Sequence, residues 1–261
     1  MSRPHPGGWN VDVMLLDSRR LSQVTFEGRQ NFRPAWLGND SLMFLSDREG
    51  NSDLWKKRWD GTGTAVRVLN NAVTLSEGLY SPDEAWLVYR EGINEAADIY
   101  AQRLSDGEVV PLEADPDVQE RTIDFSVNGR WLAFVSNRSG PEEVWVRSFP
   151  PDAGSDPEYV KVSGNGGVEP VFAHNGQELF YRTLDDELVA VQFTEDPTFR
   201  VLREDTLFSM AGYLPSNGRP MYDVSLNDSS FVMLRISDQA AATELIRVEN
   251  WAEELRERTG N

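Results

Sequence analysis

Short apolar runs broken by turn-forming residues dominate the chain, and they recur at a nearly fixed distance. Five segments share one layout: Trp36 to Phe44, Tyr80 to Tyr89, Phe125 to Phe134, Phe172 to Tyr181 and Val224 to Met233. Each holds an apolar stretch, a turn carrying Asn, Asp or Gly, and a second apolar stretch. Those turn residues tolerate positive φ, so each segment predicts a β-hairpin. The second stretches close at Phe44, Tyr89, Phe134, Tyr181 and Met233, at spacings of 45, 45, 47 and 52 residues. A repeat of about 45 residues is the length of one four-stranded propeller blade.

A second marker follows the first. An acidic residue precedes two apolar ones at Asp12, Asp53, Asp98, Glu143, Glu187 and Glu244, which predicts the third strand of each blade. Fourth strands are expected at Leu21 to Thr25, Ala65 to Leu69, Val109 to Leu112, Tyr159 to Ser163 and Thr206 to Ser209. The fold class is therefore all-β, a propeller of about five to six four-stranded blades. Blade repeats are expected near 9–25, 26–70, 71–113, 119–163, 167–209 and 219–249, after a disordered start over 1–8. Val11 to Leu16 reads as a third strand without the two before it. Either the start completes the last blade, or this is the C-terminal part of a longer chain; the second reading is favoured because Glu244 to Val248 already fills the third place there. Residues 250–261 predict a short C-terminal helix, with Asn250 as N-cap and Glu253 and Glu254 at the positive end of the dipole. Trp251 and Leu255, four apart, suit a tail packed on the propeller better than a partner-binding helix.

Charge narrows the partners. The chain has 43 acidic and 25 basic residues, a formal net charge of −18. Such a surface repels phosphate backbones and anionic membranes, so nucleic acid is a poor partner. The absence of cysteine removes thiolate chemistry and disulfides. No apolar run has signal-peptide or membrane-span length, so the chain as written carries no export signal, no direct membrane insertion is expected and the expected compartment is the cytoplasm.

The segment Phe44-Leu45-Ser46-Asp47-Arg48-Glu49-Gly50-Asn51-Ser52-Asp53-Leu54-Trp55 resembles the blade motif of TolB-like, WD40-like propeller repeats. So do Tyr80-Ser81-Pro82-Asp83 and Phe134-Val135-Ser136-Asn137-Arg138-Ser139-Gly140. The likeness covers Phe26 to Leu112 and Ile123 to Phe193, and degenerates at Leu226-Asn227-Asp228. Tyr222-Asp223-Val224-Ser225, Phe231-Val232-Met233, and Glu244 to Val248 with Asn250-Trp251 and Glu254-Leu255 are similar to the C-terminal end of certain bacterial serine/threonine kinases that carry a C-terminal propeller, and Val144 to Pro150 and Gly166 to Pro170 also resemble that group. That resemblance implies a sensory or protein-binding propeller, an upstream kinase domain in a longer chain, and a place outside the inner membrane. It carries no kinase activity over, because the kinase catalytic motifs are missing from this sequence.

Candidate chemistry is sparse. His5 lies in the expected loose start, and His174 fills a turn slot held by Pro82 and Val127 elsewhere. No G-x-S-x-G elbow accompanies them, and two histidines make a His-rich zinc site untenable. Asp47 to Asp53 is oxygen-rich but lacks EF-hand spacing, so a capped hairpin is the better reading than a calcium loop. No metal or cofactor is expected. Arg48, Arg90, Arg138, Arg182 and Arg235 follow each second strand and are expected to pair with the acidic marker of the next strand, with an anion-gripping ring as the alternative. Trp36, Trp55, Trp86, Trp131 and Trp145 are expected between blades rather than on a sugar-binding platform. The residues that vary between blades at the entry to each first strand are Asn31, Arg33, Glu77, Glu120, Arg121, Glu169 and Arg219. They form the expected rim of a channel mouth, where a protein, peptide or small ligand would bind. The expected function is a non-enzymatic sensor or scaffold. The alternative is a hydrolase, lyase or peptidase-associated propeller using channel carboxylates, since a carboxylate pair can run acid/base chemistry.

Overall fold

The computed structural model describes residues 1–69, 71–93, 97–151, 156–196, 198–215, 218–236 and 243–249. The chain forms two compact units, Met1–Asp117 and Val118–Asn261. No helix occurs among the described residues. The expected C-terminal helix at 250–261 lies outside them.

The fold is an all-β propeller with six blade sheets among the described residues, three in each unit. Blade 1 contains β1 (Ser2–His5), β2 (Gly8–Leu15) and β3 (Arg20–Gln23). Blade 2 contains β4 (Asn31–Leu37), β5 (Ser41–Glu49), β6 (Asn51–Arg58) and β7 (Val66–Leu69). Blade 3 contains β8 (Leu75–Tyr80), β9 (Trp86–Glu91), β10 (Asp98–Arg103) and β11 (Val109–Glu113). Blade 4 contains β12 (Glu120–Phe125), β13 (Trp131–Ser136), β14 (Glu143–Ser148) and β15 (Tyr159–Lys161). Blade 5 contains β16 (Val168–Phe172), β17 (Glu178–Arg182), β18 (Glu187–Thr194) and β19 (Arg200–Ser209). Blade 6 contains β20 (Tyr222–Val224), β21 (Ser230–Ile236) and β22 (Thr243–Glu249). All pairings within the sheets are antiparallel.

The start of the chain departs from expectation. Ser2–His5 is not loose but pairs with Gly8–Val11 through a tight turn. His5 Nε2 lies 2.8 Å from the buried Asp12 carboxylate, and the N-terminal ammonium donates to the Asp12 carbonyl at 2.9 Å. These contacts hold down a segment whose Pro and Gly content suggested fraying.

The second strands of blades 2 to 5 read as unbroken apolar runs because both of their faces are buried. In β5, Leu42 and Phe44 pack with Val11, Val13 and Val24 of the blade 1 segment, while Met43 and Leu45 pack with Leu75, Leu87 and Tyr89 of blade 3. In β17, Leu179 and Tyr181 join Trp131, Val144 and Val146 of blade 4, whereas Phe180 joins Tyr222, Phe231 and Met233 of blade 6. The alternation of strand side chains sends consecutive residues to opposite neighbours. Trp55, Trp86 and Trp131 are buried as expected, but Trp36 is 56% exposed and lies outside these clusters.

The hairpin turns of blades 3 to 6 share one plan, and three of them add a serine acceptor that Ala173 of blade 5 cannot supply. Ser81 Oγ accepts the Trp86 N–H at 3.0 Å, Ser126 Oγ the Trp131 N–H at 3.0 Å, and Ser225 Oγ the Ser230 N–H at 3.1 Å. Within each turn an Asp or Asn oxygen accepts the N–H two residues on: Asp83 from Ala85, Asn128 from Arg130, Asn175 from Gln177 and Asn227 from Ser229. The residue with positive φ is Glu84, Gly129, Gly176 or Asp228. The degenerate turn of blade 6 thus keeps the shared geometry.

The acidic marker of the third strand ties down the link to the next blade. Glu143 is buried; its Oε2 accepts the Ser163 hydroxyl at 2.5 Å and the Gly166 N–H at 2.9 Å, and Lys161 Nζ lies 3.3 Å from Oε1. Ser163 Oγ in turn accepts the Val144 N–H at 2.8 Å. In blade 1 the same lock uses Asn10, whose Oδ1 accepts the Thr25 hydroxyl at 3.0 Å, while Thr25 Oγ accepts the Val11 N–H at 2.8 Å. Asn10, not Asp12, is therefore the counterpart of Glu143. In blade 2 the buried Asp53 bonds to Arg67 and to the Asn71 N–H. Glu187 is exposed and performs no such task.

Two outcomes are expected. Glu143→Ala leaves buried donors without an acceptor and lowers the unfolding free energy by about 2–3 kcal/mol, whereas Glu187→Ala costs less than about 0.5 kcal/mol; urea denaturation of both variants checks the contrast. Hydrogen bonds from Ser81 Oγ and the Ala85 N–H hold the Asp83 carboxyl below its ordinary 3.8. The bound carboxylate therefore stabilises the fold above that value and loses its contribution as pH falls. Acid melting curves of Asp83→Asn should fall less steeply than those of the parent chain below about pH 4.

Candidate functional site

The first-strand entries expected to form a rim are shaped by β-bulges. The register shifts between Phe32 and Ala35, Leu75 and Glu77, Arg121 and Asp124, and Val168 and Val171. Arg33, Thr122 and Glu169 take positive φ there, a conformation that turns the local chain sharply. Asn31, Glu120 and Glu169 are fully buried, and Glu77 is nearly so. Arg33, Arg121 and Arg219 are half-buried.

Each buried group has internal work. Asn31 Nδ2 donates to the carbonyls of Glu27 and Trp9 and to Asn10 Oδ1, at 2.8–3.2 Å. Glu77 lies in register opposite Arg90 and 4.0 Å from Arg33. Glu120 pairs with Arg138 at 3.4 Å. Glu169 accepts the Met221 N–H at 2.9 Å and lies 3.7 Å from Arg182, while its carbonyl accepts the Tyr222 hydroxyl at 2.8 Å. Burial pushes the Tyr222 phenol well above its ordinary 10.0, so it stays a neutral donor.

The recurring arginines therefore turn toward the first strand rather than the acidic marker. Arg48 Nε donates to Ser46 Oγ at 3.0 Å and its guanidinium lies 4.6 Å from the Trp55 ring; Arg138 Nε donates to Ser136 Oγ at 3.1 Å and lies 4.9 Å from Tyr159. Arg182 is buried and donates to Asp186 and to the carbonyl of Leu214. Arg235 alone lies in register with its marker, Glu244. The oxygen-rich loop is also engaged internally: Asp47 accepts the Arg29 and Gln30 N–H groups at 2.8 and 2.9 Å.

The second unit contains an open groove of about 740 Å³ that the sequence did not single out. Its walls are the β12–β13 turn with Asn128 and Arg130, the β16–β17 turn with Asn175, and the β18–β19 loop with Glu195 and Asp196. Glu178 of β17 and Gln192 of β18 face each other in register along it. Hydrogen bonds fix both turns. Asn128 Nδ2 donates to Glu195 at 2.6 Å, and Asp228 accepts the His174 and Asn175 N–H groups at 2.9 and 2.7 Å. His174 Nδ1 lies 3.2 Å from the same Asp228 carboxylate, so the turn histidine belongs to this brace. Asn and Gly at a repeated turn signal a hairpin, which concealed that two such turns flank one concavity.

Among the described residues no three metal-ligating side chains converge. Amides and carboxylates in the groove suit hydrogen bonding and attraction of cations. Burial, more than distance, ranks the ion pairs. Glu169→Ala is expected to cost about 3 kcal/mol, because it leaves the Met221 N–H without its acceptor and takes one of two carboxylates from the buried Arg182 guanidinium. Arg121→Ala, despite contacts of 2.8 and 2.6 Å to the half-exposed Glu142, is expected to cost under about 1 kcal/mol. Chemical denaturation distinguishes the two.

No protein-family model matches the chain, and no curated protein does. Solved structures do match. TolB from Acinetobacter baumannii superposes with a TM-score of 0.64 at 15% identity, over 93% of this chain and 60% of that one. A putative TolB from Agrobacterium tumefaciens gives 0.50 at 20% identity, over 77% of this chain and 74% of that one. A puromycin-hydrolyzing peptidase from Mycobacterium tuberculosis gives 0.56 at 10% identity, over 95% of this chain and 45% of that one. The chain spans three-fifths of the Acinetobacter protein's length, 60%. At these identities the likeness is one of fold, and the fold of this chain is that of the TolB-like β-propellers.

Proposed function

We propose that the chain is a binding module: a rigid TolB-like propeller that presents turn and loop residues to a protein, peptide or small-ligand partner and does not transform it. One observation carries this reading. The carboxylates best placed in the sequence for acid/base chemistry, Glu77, Glu120 and Glu169, are buried beside arginines, whereas exposed polar groups gather around the braced groove of the second unit. Arg33, Arg121 and Arg219 keep partial exposure, and each is by itself a candidate for contact with a partner.

In a longer protein, occupancy of the module would pass to an attached effector. The kinase-like tail motifs support a serine/threonine kinase in that role, with the propeller outside the inner membrane. The net charge of −18 supports a protein or cationic partner over nucleic acid.

The test is a thermal-shift screen against peptide, sugar and small-molecule sets, run beside lactone, glycan and peptide-ester hydrolysis assays. Binding with no turnover supports the module. Turnover that Glu77→Gln, Glu120→Gln or Glu169→Gln abolishes while the fold survives replaces it with an enzyme. The kinase link is tested by the native mass in source cells: a mass near 29.5 kDa removes it.

A further inference from the structure

The groove of the second unit has a chemical bias that narrows its partner. Three carboxylates line it, from Glu178, Glu195 and Asp196, against one guanidinium, that of Arg130. Arg130 lies 3.7 Å from Glu195, which also holds Asn128, so this cation is matched within the wall. Arg200, outside the lining, donates to the backbone carbonyl of Asp196 and not to its carboxylate. Glu178 accepts only the neutral amide of Asn175 among the described residues. Glu178 and Asp196 therefore leave two negative charges in a concave surface, on a chain whose overall field has the same sign.

Shape and neighbours add to the charge. Both walls are pinned, by Glu195 on one side and Asp228 on the other, so a ligand meets a surface that needs little ordering. The amides of Asn175 and Gln192 offer donors and acceptors of the kind a peptide backbone needs. Leu202 of β19, 64% exposed, supplies an aliphatic step at the edge.

We propose that this groove holds an extended segment of a protein partner carrying lysine or arginine beside an aliphatic residue. The proposal rests on the binding-module reading and assigns it a place and a partner chemistry.

The test uses the intact chain and a fluorescent peptide of alternating lysine and leucine, with its glutamate-for-lysine and acetyl-lysine counterparts. The cationic peptide should bind more tightly than either counterpart and protect residues 126–131 and 174–178 from hydrogen exchange. Glu178→Gln with Asp196→Asn should weaken it about five- to tenfold, since partly exposed charge pairs contribute up to about 1 kcal/mol each. L202K, on an exposed position, should also weaken it. Asp17→Asn with Glu108→Gln removes two exposed charges from the first unit and should leave it unchanged.

Equal weakening by that control pair, or equal binding of the acetylated peptide, overturns the proposal. Protection confined to other residues overturns the groove assignment and leaves the binding module standing. A broader screen that finds no binder of any class overturns the module itself.

Discussion

The structure depends on two-sided burial of the second strand in blades 2 to 5. A single four-stranded sheet cannot cover both faces of Leu42–Leu45 or of Leu179–Tyr181, so blade 2 and blade 5 each need a neighbour on both sides within their own unit. Hydrophobic burial at about 25 cal/mol per Å² rewards that stacking and makes an isolated blade unfavourable. The chain must leave one sheet and enter the next without exposing or orphaning its backbone groups.

Buried side chains solve that problem at several crossings within each unit with whatever chemistry the position allows. A neutral amide serves in blade 1, where Asn10 and Thr25 meet, and a carboxylate serves in blade 4, where Glu143 and Ser163 meet. Asn31 reaches back to Trp9 of β2, and Glu169 reaches forward to Met221. A carboxylate in such a place gains stability from its donors only while all of them remain, which is why its loss costs more than that of a better-shaped surface pair.

The repeat, the hairpins and most strand positions were legible in the sequence because turn chemistry and apolar runs are local signals. Serine at Ser81, Ser126 and Ser225 with Asp or Asn two residues on encodes a turn by hydrogen bonds that span only a few residues. The roles of Glu77, Glu120 and Glu169 were not legible. A polar residue at a strand entry looks like rim, and the bulges that accompany its burial depend on pairing with a second strand many residues away. Asp12 misled for the same reason: spacing within one strand does not reveal which residue faces the connector. The groove was invisible because Asn128 and Asn175 are each explained by their own turns, and only tertiary packing sets them around one concavity.

The shared turn has one more consequence. In blades 3, 4 and 6 its geometry is fixed by the first and third residues together with a residue of positive φ, and the second residue takes no part in those hydrogen bonds. Proline, valine and leucine occupy it there, at Pro82, Val127 and Leu226, and the last is 83% exposed, whereas His174 in blade 5 uses the same slot to bind Asp228. Such a slot can drift under mutation while the framework stays intact, so a lineage carrying this fold can explore new surface chemistry one residue at a time with little risk to folding.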